Sequence, residues 1–260
     1  MSSKTGWSRS QLLVAFKLYC QMPFGKLHSR NPEIIKYAAL IGRTPSALAM
    51  KMSNIASLDP AITSTGRSGL VGASAADKAM WEEMQADWGR FAVEMEYVTG
   101  SLEDSTEEKI NPDNIALTTE DDVDYTGGSK TVQTTARIGQ DFFRRAVLSA
   151  YNYRCCITGL SVPKLLVASH IVPWRIDVSN RLNPKNGLCL SMLHDKAFDI
   201  GIITVMDNMT VKVSHKHVSE VDNFFSTALL AYEGKSIALP EKFQPHTEFL
   251  AYHRENIFNA

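Results

Sequence analysis

The sequence has few cysteines, no long apolar run and almost no net charge. None of its 260 residues lies in a run approaching the roughly 20 apolar residues that a membrane helix requires. The first ten residues, MSSKTGWSRS, also lack the apolar core of a secretory signal. These absences predict a protein without membrane segments and with a cytoplasmic location.

The four cysteines do not suggest a disulfide framework. Cys155 and Cys156 are adjacent, whereas Cys20 and Cys189 stand alone. Small secreted domains space many cysteines along a short chain, while cytosolic proteins keep their thiols reduced. Cysteine usage therefore agrees with a cytoplasmic location, and 44% apolar composition is enough to build a core without disulfides.

The net charge of −1 is an average over unlike segments. Residues 94–124 hold eleven Asp and Glu and one Lys, whereas both flanking segments are mildly basic. Acidic sequence rich in Ser, Thr and Asn, with few large apolar groups, is typical of a linker. We therefore predict a helical domain at 1–93, an acidic linker at 94–135 and a second domain at 136–260.

Helix signals follow one another through residues 1–93. Ser8 is placed to cap a helix that continues to Gln21, and Asn31-Pro32 and Thr44-Pro45 each pair a cap residue with proline at the first helical position. The sequence of residues 76–88 predicts a fourth helix. The short turn between the second and third helices is typical of a helix-turn-helix unit, which places one helix in the major groove of DNA.

In such a unit, the polar residues of the third helix face the nucleic acid. We expect Arg43, Lys51 and Asn54 to contact it, with Arg43 near a phosphate. The alternative is an ordinary helical bundle in which these residues form a solvated face. A further possibility is that the acidic linker competes with DNA for the basic faces.

Three polar residues are spaced along the second domain as a small hydrolytic site requires. His170 ends the apolar run Leu165–Ala168, Asn186 lies in an Asn-Pro-Lys-Asn-Gly turn, and His194 follows a second apolar run. This order predicts a strand, a loop, a strand and a helix. A neutral imidazole at a strand end can take a proton from water, and a second imidazole can hold a divalent cation.

The same region carries three linked motifs: HI-P-W at 170–174, NGL-L at 186–190 and LHD-AFD-G at 193–201. Over about residues 151–204 this pattern resembles the HNH endonucleases, which have the ββα-metal fold. The resemblance implies that His170 is the general base, that Asn186 braces the loop facing it, and that His194 binds the metal. Taken singly, each residue is more typical of a buried core histidine or a turn.

One position departs from the HNH pattern. Many members have an Asp or His metal ligand immediately before the base, and this sequence has Ser169. The nearby carboxylates Asp199 and Asp195 are the candidates for a second ligand, and we favour Asp199. Oxygen ligands of this kind suit Mg²⁺ or Mn²⁺.

We therefore predict an α+β protein, a helical bundle followed by a ββα-metal nuclease domain, that hydrolyses double-stranded DNA with a divalent metal ion. Arg144 and Arg145, on a helix entering the second domain, are available to phosphates. The resemblance implies a restriction or antiviral role, and we also expect a homodimer. The alternatives are an HNH-fold DNA-binding or regulatory protein without catalysis, and an RNA nuclease.

Overall fold

The structure is a computed structural model that describes residues 6–64, 66, 72–107, 130–216 and 222–259, with only the backbone at 105–107 and 130–138. The helices are α1 (Arg9–Gln21), α2 (Pro32–Leu40), α3 (Pro45–Ala56), α4 (Pro60–Thr63), α5 (Ala75–Ala86), α6 (Trp88–Glu107), α7 (Lys130–Ala150), α8 (Met192–Asp199), α9 (Asn223–Ala228) and α10 (Thr247–Asn256). The strands are β1 (Leu166–His170), β2 (Gly187–Ser191), β3 (Ile203–Val205) and β4 (Val211–Val213). This mixture of helices with two small antiparallel sheets is compatible with the predicted α+β class.

The first three helices begin where the sequence predicts. The side chains of Ser8, Asn31 and Thr44 each accept a hydrogen bond from a backbone N–H in the first turn of α1, α2 and α3. These caps satisfy donors that have no partner inside a helix. Helix α1 is buried along almost its whole length and packs against α3, α6 and α7.

The beginning of the predicted acidic linker is helical. Helix α6 runs through residue 93 without a break, and Met95 and Thr99 are fully buried. The buried ammonium of Lys17 binds the carboxylate of Glu96 at 2.8 Å and the hydroxyl of Thr99 at 2.7 Å. Residues 94–107 therefore depart from linker behaviour. Residues 108–129 lie outside the described part, and the division at 93 and 135 stays a prediction.

The N-terminal helices and the second half of the chain share one apolar core. Helix α1 packs on α7, and the Ser149 hydroxyl of α7 donates to the Cys20 carbonyl. The Lys242 ammonium, which is fully buried, donates to the carbonyls of Tyr19, Cys20 and Met22 at the end of α1. A cation at a helix C-terminus satisfies carbonyls that the helix leaves unpaired.

The hairpin of β1 and β2 lies between two helices. Leu166 pairs with Ser191 and His170 with Gly187, so β1 and β2 are antiparallel. Helix α7 contacts both strands, and α8 follows β2 directly and packs on the hairpin. A second antiparallel hairpin, β3 with β4, follows α8. Among the described helices, none has the length and apolarity to cross a bilayer.

Candidate active site

His170 is the last residue of β1 and is held by three neighbours. Its ring is stacked on Phe143 of α7, with centroids 3.9 Å apart and planes 11° from parallel. Trp174 meets it edge-on at 5.5 Å. The Nε2 atom lies 2.9 Å from the carbonyl oxygen of Arg181, in the loop between β1 and β2. The ring is therefore fixed in both plane and rotation.

The hydrogen bond also fixes the tautomer of His170. A carbonyl oxygen only accepts, so Nε2 carries the hydrogen in the neutral ring and Nδ1 keeps a lone pair. Burial lowers the pKa of His170, and this effect outweighs the opposing effect of the Arg181 carbonyl. A neutral imidazole with a free lone pair is the form that accepts a proton from water.

Asn186 ties the loop to the end of β1. Its side chain is fully buried, its Oδ1 accepts from the Val172 N–H at 2.8 Å, and its Nδ2 donates to the Val172 carbonyl at 3.1 Å. A longer bond of 3.4 Å reaches the carbonyl of Asn180. Because Asn180 is next to Arg181, this side chain anchors the loop segment that supplies the carbonyl to His170.

The Asn-Gly pair does not form a left-handed turn here. The described non-glycine residues with positive φ are Asn152, Tyr153, Met209 and Phe243, and Asn186 is not among them. Gly187 matters for a different reason. A Cβ at Gly187 would lie 2.4 Å from a methyl of Val147 and 2.9 Å from the Phe143 ring, so glycine allows α7 to approach the hairpin.

His194 lies in the first turn of α8 and is buried. Its Nδ1 is 2.8 Å from the hydroxyl of Ser191, the residue that caps α8, and its ring meets Tyr232 edge-on at 5.5 Å. Burial lowers the pKa of His194, and the nearby Ala228 carbonyl opposes part of that shift. The Nε2 atom is buried and forms no hydrogen bond of full geometry, although the Ala228 carbonyl lies close enough to influence the ring.

Two carboxylates lie on the same side of α8, one turn apart. Burial raises the pKa of Asp195, which the adjacent Ser169 and Lys196 partly oppose. Burial also raises the pKa of Asp199, and the charge of Asp195 raises it further. The Ser169 hydroxyl is close enough to influence Asp195, although its geometry does not complete a hydrogen bond. A cation between these carboxylates would relieve their repulsion.

This region would offer a metal ion only a few protein ligands. In the described ranges, no three His, Cys, Asp or Glu side chains converge into a ready-made metal site. Mg²⁺, however, usually keeps several waters and takes one or two protein carboxylates together with substrate phosphate oxygens. The repelling carboxylates Asp195 and Asp199 fit that requirement, whereas in the described ranges His194 does not converge with both of them.

His170 and the α8 residues lie on opposite faces of the hairpin. Successive strand residues point to opposite faces, so Ser169 and His170 diverge. His170 meets Phe143 of α7, whereas Ser169 adjoins Asp195 of α8. No contact between the described side chains joins His170 to His194. Among the described residues, β1 pairs only with β2, so no strand lies along its other edge.

The two predicted phosphate-binding arginines of α7 differ in placement. Arg144 lies at the free edge of β1, where Nη1 donates to the Leu166 carbonyl at 2.9 Å and Nη2 to the Pro163 carbonyl at 3.4 Å. Arg145 is exposed and forms an ion pair with Asp141, one turn away. Arg144 is thus fixed near His170, while Arg145 is on the open surface.

The predicted nucleic-acid residues of the N-terminal helices are mostly engaged within the protein. Lys51 was expected to face outward, but it is buried, and its ammonium lies 2.9 Å from both carboxylate oxygens of Asp77. Arg43 packs over the Trp7 ring and donates to the Gly6 carbonyl. Asn54 is partly buried. Contact of Lys51 with a phosphate would require its pair with Asp77 to open.

Sequence reasoning missed the groups that orient His170. Phe143 is recognisable in the sequence only as an apolar residue of a helix, and the Arg181 carbonyl carries no side-chain signal at all. The C-terminal pair His253-Arg254, which stands out in the sequence, is structural. His253 is buried against Phe198 with centroids 3.6 Å apart, and Arg254 pairs with Asp207.

Comparison with known proteins bears on the same segment. Residues 155–206 match the family model described as HNH endonuclease. The match includes β1, the loop between β1 and β2, β2 and α8, and therefore contains His170, Asn186 and His194. It supports the HNH family for this part of the chain and nuclease activity in general, and HNH nucleases generally use a divalent metal ion. No curated protein matches the chain.

Proposed function

We propose that the protein is a metal-dependent endonuclease that hydrolyses phosphodiester bonds of double-stranded DNA, with His170 as the general base. The observation that carries this proposal is the setting of His170. Its Nε2 donates to the Arg181 carbonyl, and its ring is stacked on Phe143. Asn186 anchors the loop that contains Arg181. This setting leaves the Nδ1 lone pair of His170 available for a proton from water, at the end of a strand beside an open pocket.

In the proposed reaction, Nδ1 of His170 accepts a proton from the attacking water. Burial keeps the ring neutral before that step by lowering its pKa. Asn186 is a positioning residue, because it acts on the loop and not on the substrate. Arg144, fixed at the free edge of β1, is proposed to contact a phosphate, and exposed Arg145 to contact the strand further out.

His194 and Asp199 are proposed to hold the divalent ion, with Asp195 as the alternative carboxylate. Mg²⁺ or Mn²⁺ suits this mixture of one imidazole and carboxylate oxygens. When bound, such an ion stabilises the negative charge that develops on the phosphoryl and leaving oxygens. For the ion and His170 to act on the same phosphate, that phosphate would have to lie at the edge of β1, between the two faces.

A second candidate is an HNH-fold DNA-binding or regulatory protein without catalysis. It is favoured by Ser169 at the position of a common ligand and by the lack of three converging metal ligands in the described ranges. A restriction or antiviral role, a homodimer and a cytoplasmic location remain proposals that follow from the sequence and its resemblance alone.

Cleavage of supercoiled plasmid by the full chain separates these functions. We expect nicking or linearisation with Mg²⁺ or Mn²⁺, none with a chelator, and none for His170→Ala. His215→Ala is the matched control, because His215 is exposed. DNA binding without cleavage under every metal condition would establish the second candidate, and cleavage of RNA with duplex DNA untouched would establish an RNA nuclease.

A further inference from the structure

A pocket of about 240 Å³ lies beside His170 at the free edge of β1. Helix α7, β1 and the loop after it form the pocket together. Its lining residues are Gln140, Phe143 and Arg144 from α7, Val167, Ala168 and His170 from β1, and Trp174. The pocket is thus adjacent to the proposed base and is not occupied by any described side chain.

The lining does not suit a phosphate. Phe143, Val167 and Ala168 offer no hydrogen-bond donor, and a phosphate among them would lose water without compensation. Nη1 and Nη2 of Arg144 each already donate to a carbonyl, of Leu166 and of Pro163, so the phosphate contact proposed for Arg144 uses its remaining N–H groups at the edge of β1. A flat group with apolar faces and polar edges fits better, and a nucleobase has that character.

Two residues add the means to hold and read such a group. Trp174 is partly exposed, and its indole is fixed by the edge of His170 and by the Arg181 guanidinium, which packs 4.8 Å from the ring centre. A fixed indole is a good surface for a base, because little freedom is lost on binding. Gln140 is exposed on α7, and its amide provides both a donor and an acceptor.

We propose that this pocket binds one unpaired nucleobase of the substrate strand, with Trp174 against the base and the Gln140 amide at its polar edge. The proposal rests on the proposed nuclease function, because it places the base next to the phosphodiester that the water activated by His170 would attack. A base in this pocket has left its stack, so the protein should prefer strands in which one base is already unpaired.

Binding in the presence of a chelator tests the pocket without cleavage. The full chain is titrated with three duplexes: fully paired, with one bulged nucleotide, and with the same bulge lacking its base. The abasic bulge controls for the flexibility of a bulged duplex. We expect the base-bearing bulge to bind about 10-fold more tightly than the paired duplex and the abasic bulge. Stacking of one base on an aromatic ring has an effect of this size.

Variants assign the effect to the pocket. Trp174→Ala should make the bulge with its base no tighter than the abasic bulge, while Trp174→Phe should retain most of the difference. Gln140→Ala should reduce discrimination among the four bulged bases, whereas Gln244→Ala, at an exposed glutamine outside the pocket, should not. Because Gln140 is on the surface, its replacement tests the pocket even if Trp174→Ala fails to fold.

The outcomes distinguish this inference from the nuclease function. If the abasic bulge binds as tightly as the base-bearing one, the pocket does not take a base, whatever the protein cleaves. If the base-bearing bulge binds more tightly and Trp174→Ala removes the difference, the pocket is established. That result would stand even if no metal supports cleavage, in which case the nuclease proposal alone would fail.

Discussion

The imidazole of His170 lies flat on the ring of Phe143, with their centroids 3.9 Å apart. Phe143 is almost fully buried, and it also faces Gly187 across a gap that a side chain would close. One aromatic ring therefore joins α7 to the end of β1 and excludes water from one face of the imidazole. Since burial is the main cause of the lowered pKa of His170, Phe143 helps to keep the proposed base neutral.

Replacing Phe143 with leucine should shift the acid limb of the rate profile to higher pH. Leucine leaves part of the imidazole face hydrated, so the pKa of His170 should rise toward its ordinary value of 6.5. Since only the neutral ring accepts a proton, the variant should lose rate mainly below that value. Single-turnover cleavage across pH measures this, and an equal loss at every pH would indicate a purely structural role.

Asn186→Asp should reduce both turnover and stability. The change removes the donors to the carbonyls of Val172 and Asn180 and places a carboxylate against them in a fully buried position. An unpaired buried charge costs on the order of 3 kcal/mol, and a misplaced base about 10²-fold in rate. Urea unfolding and single-turnover cleavage on one preparation measure the two effects.

Asn208→Asp is the matched control for that substitution. Asn208 is exposed in the turn between β3 and β4, and its Oδ1 accepts from the N–H and hydroxyl of Thr210. Aspartate keeps both contacts, so this variant should behave as wild type. Full activity and stability in Asn186→Asp would show that the loop does not need the amide.

The sequence was informative where local chemistry determines the structure. Caps at Ser8, Asn31 and Thr44 act within one turn, and they located the starts of three helices. The outward orientation of Lys51 was wrong because the position of α5, which brings Asp77 to it, depends on tertiary packing. Helix periodicity alone cannot show which polar residue has a buried partner.

The candidate site, too, could be predicted from the sequence only in part. The spacing of three motifs was enough to select His170, Asn186 and His194, and the match at residues 155–206 includes all three. What selects the tautomer of His170 is a backbone carbonyl, which every residue has, so no sequence pattern could reveal it. Likewise, Gly187 is explained by the approach of α7, a contact between distant segments.

Metal titration should separate the carboxylates of α8. His194→Ala and Asp199→Asn should each require about 10-fold or more metal for half-maximal cleavage, whereas His170→Ala should not be rescued by metal. Asp104→Asn, at an exposed position on α6, is the control. If Asp195→Asn changes the metal requirement and Asp199→Asn does not, then Asp195 is the ligand.

Stability should fall as the solution is acidified through the range set by His253. Burial, the first cause, lowers the pKa of His253 to about 4, from an ordinary value of 6.5. As the pH falls, His253 is therefore protonated in the unfolded chain before it is protonated in the folded chain. Its contribution to stability is fully present above pH 6.5 and decreases down to about pH 4, by up to about 1.4 kcal/mol per pH unit. Burial lowers the pKa of His170 and His194 in the same direction.

His253→Gln isolates this contribution. The slope of the unfolding free energy against pH is measured with urea between about pH 4 and pH 6.5. Relative to wild type, it should decrease by up to the equivalent of one bound proton. The substitution also removes the ring stacked on Phe198, so a uniform loss of stability at all pH values is expected in addition. An unchanged slope would mean that another group causes the acid sensitivity.

Lys242 provides the sharpest test of whether the two halves of the chain fold as one unit. Its buried ammonium binds three carbonyls at the end of α1, and burial lowers its pKa to about 8. In the full chain, Lys242→Met removes the donor from those carbonyls and should cost about 2 to 3 kcal/mol. Lys235→Met, at an exposed lysine, should cost little.

Deleting residues 1–93 should abolish the effect of the same substitution. The deletion removes α1 with the three carbonyls, so the ammonium of Lys242 would lose these partners and be hydrated at the exposed face instead. We expect the fragment 94–260 to be strongly destabilised, because α7 also loses its packing against α1. Lys242→Met should then change the stability of the fragment little, while it destabilises the full chain. Urea unfolding of the four proteins measures both effects, and a fragment as stable as the full chain would show that residues 94–260 form an independent domain.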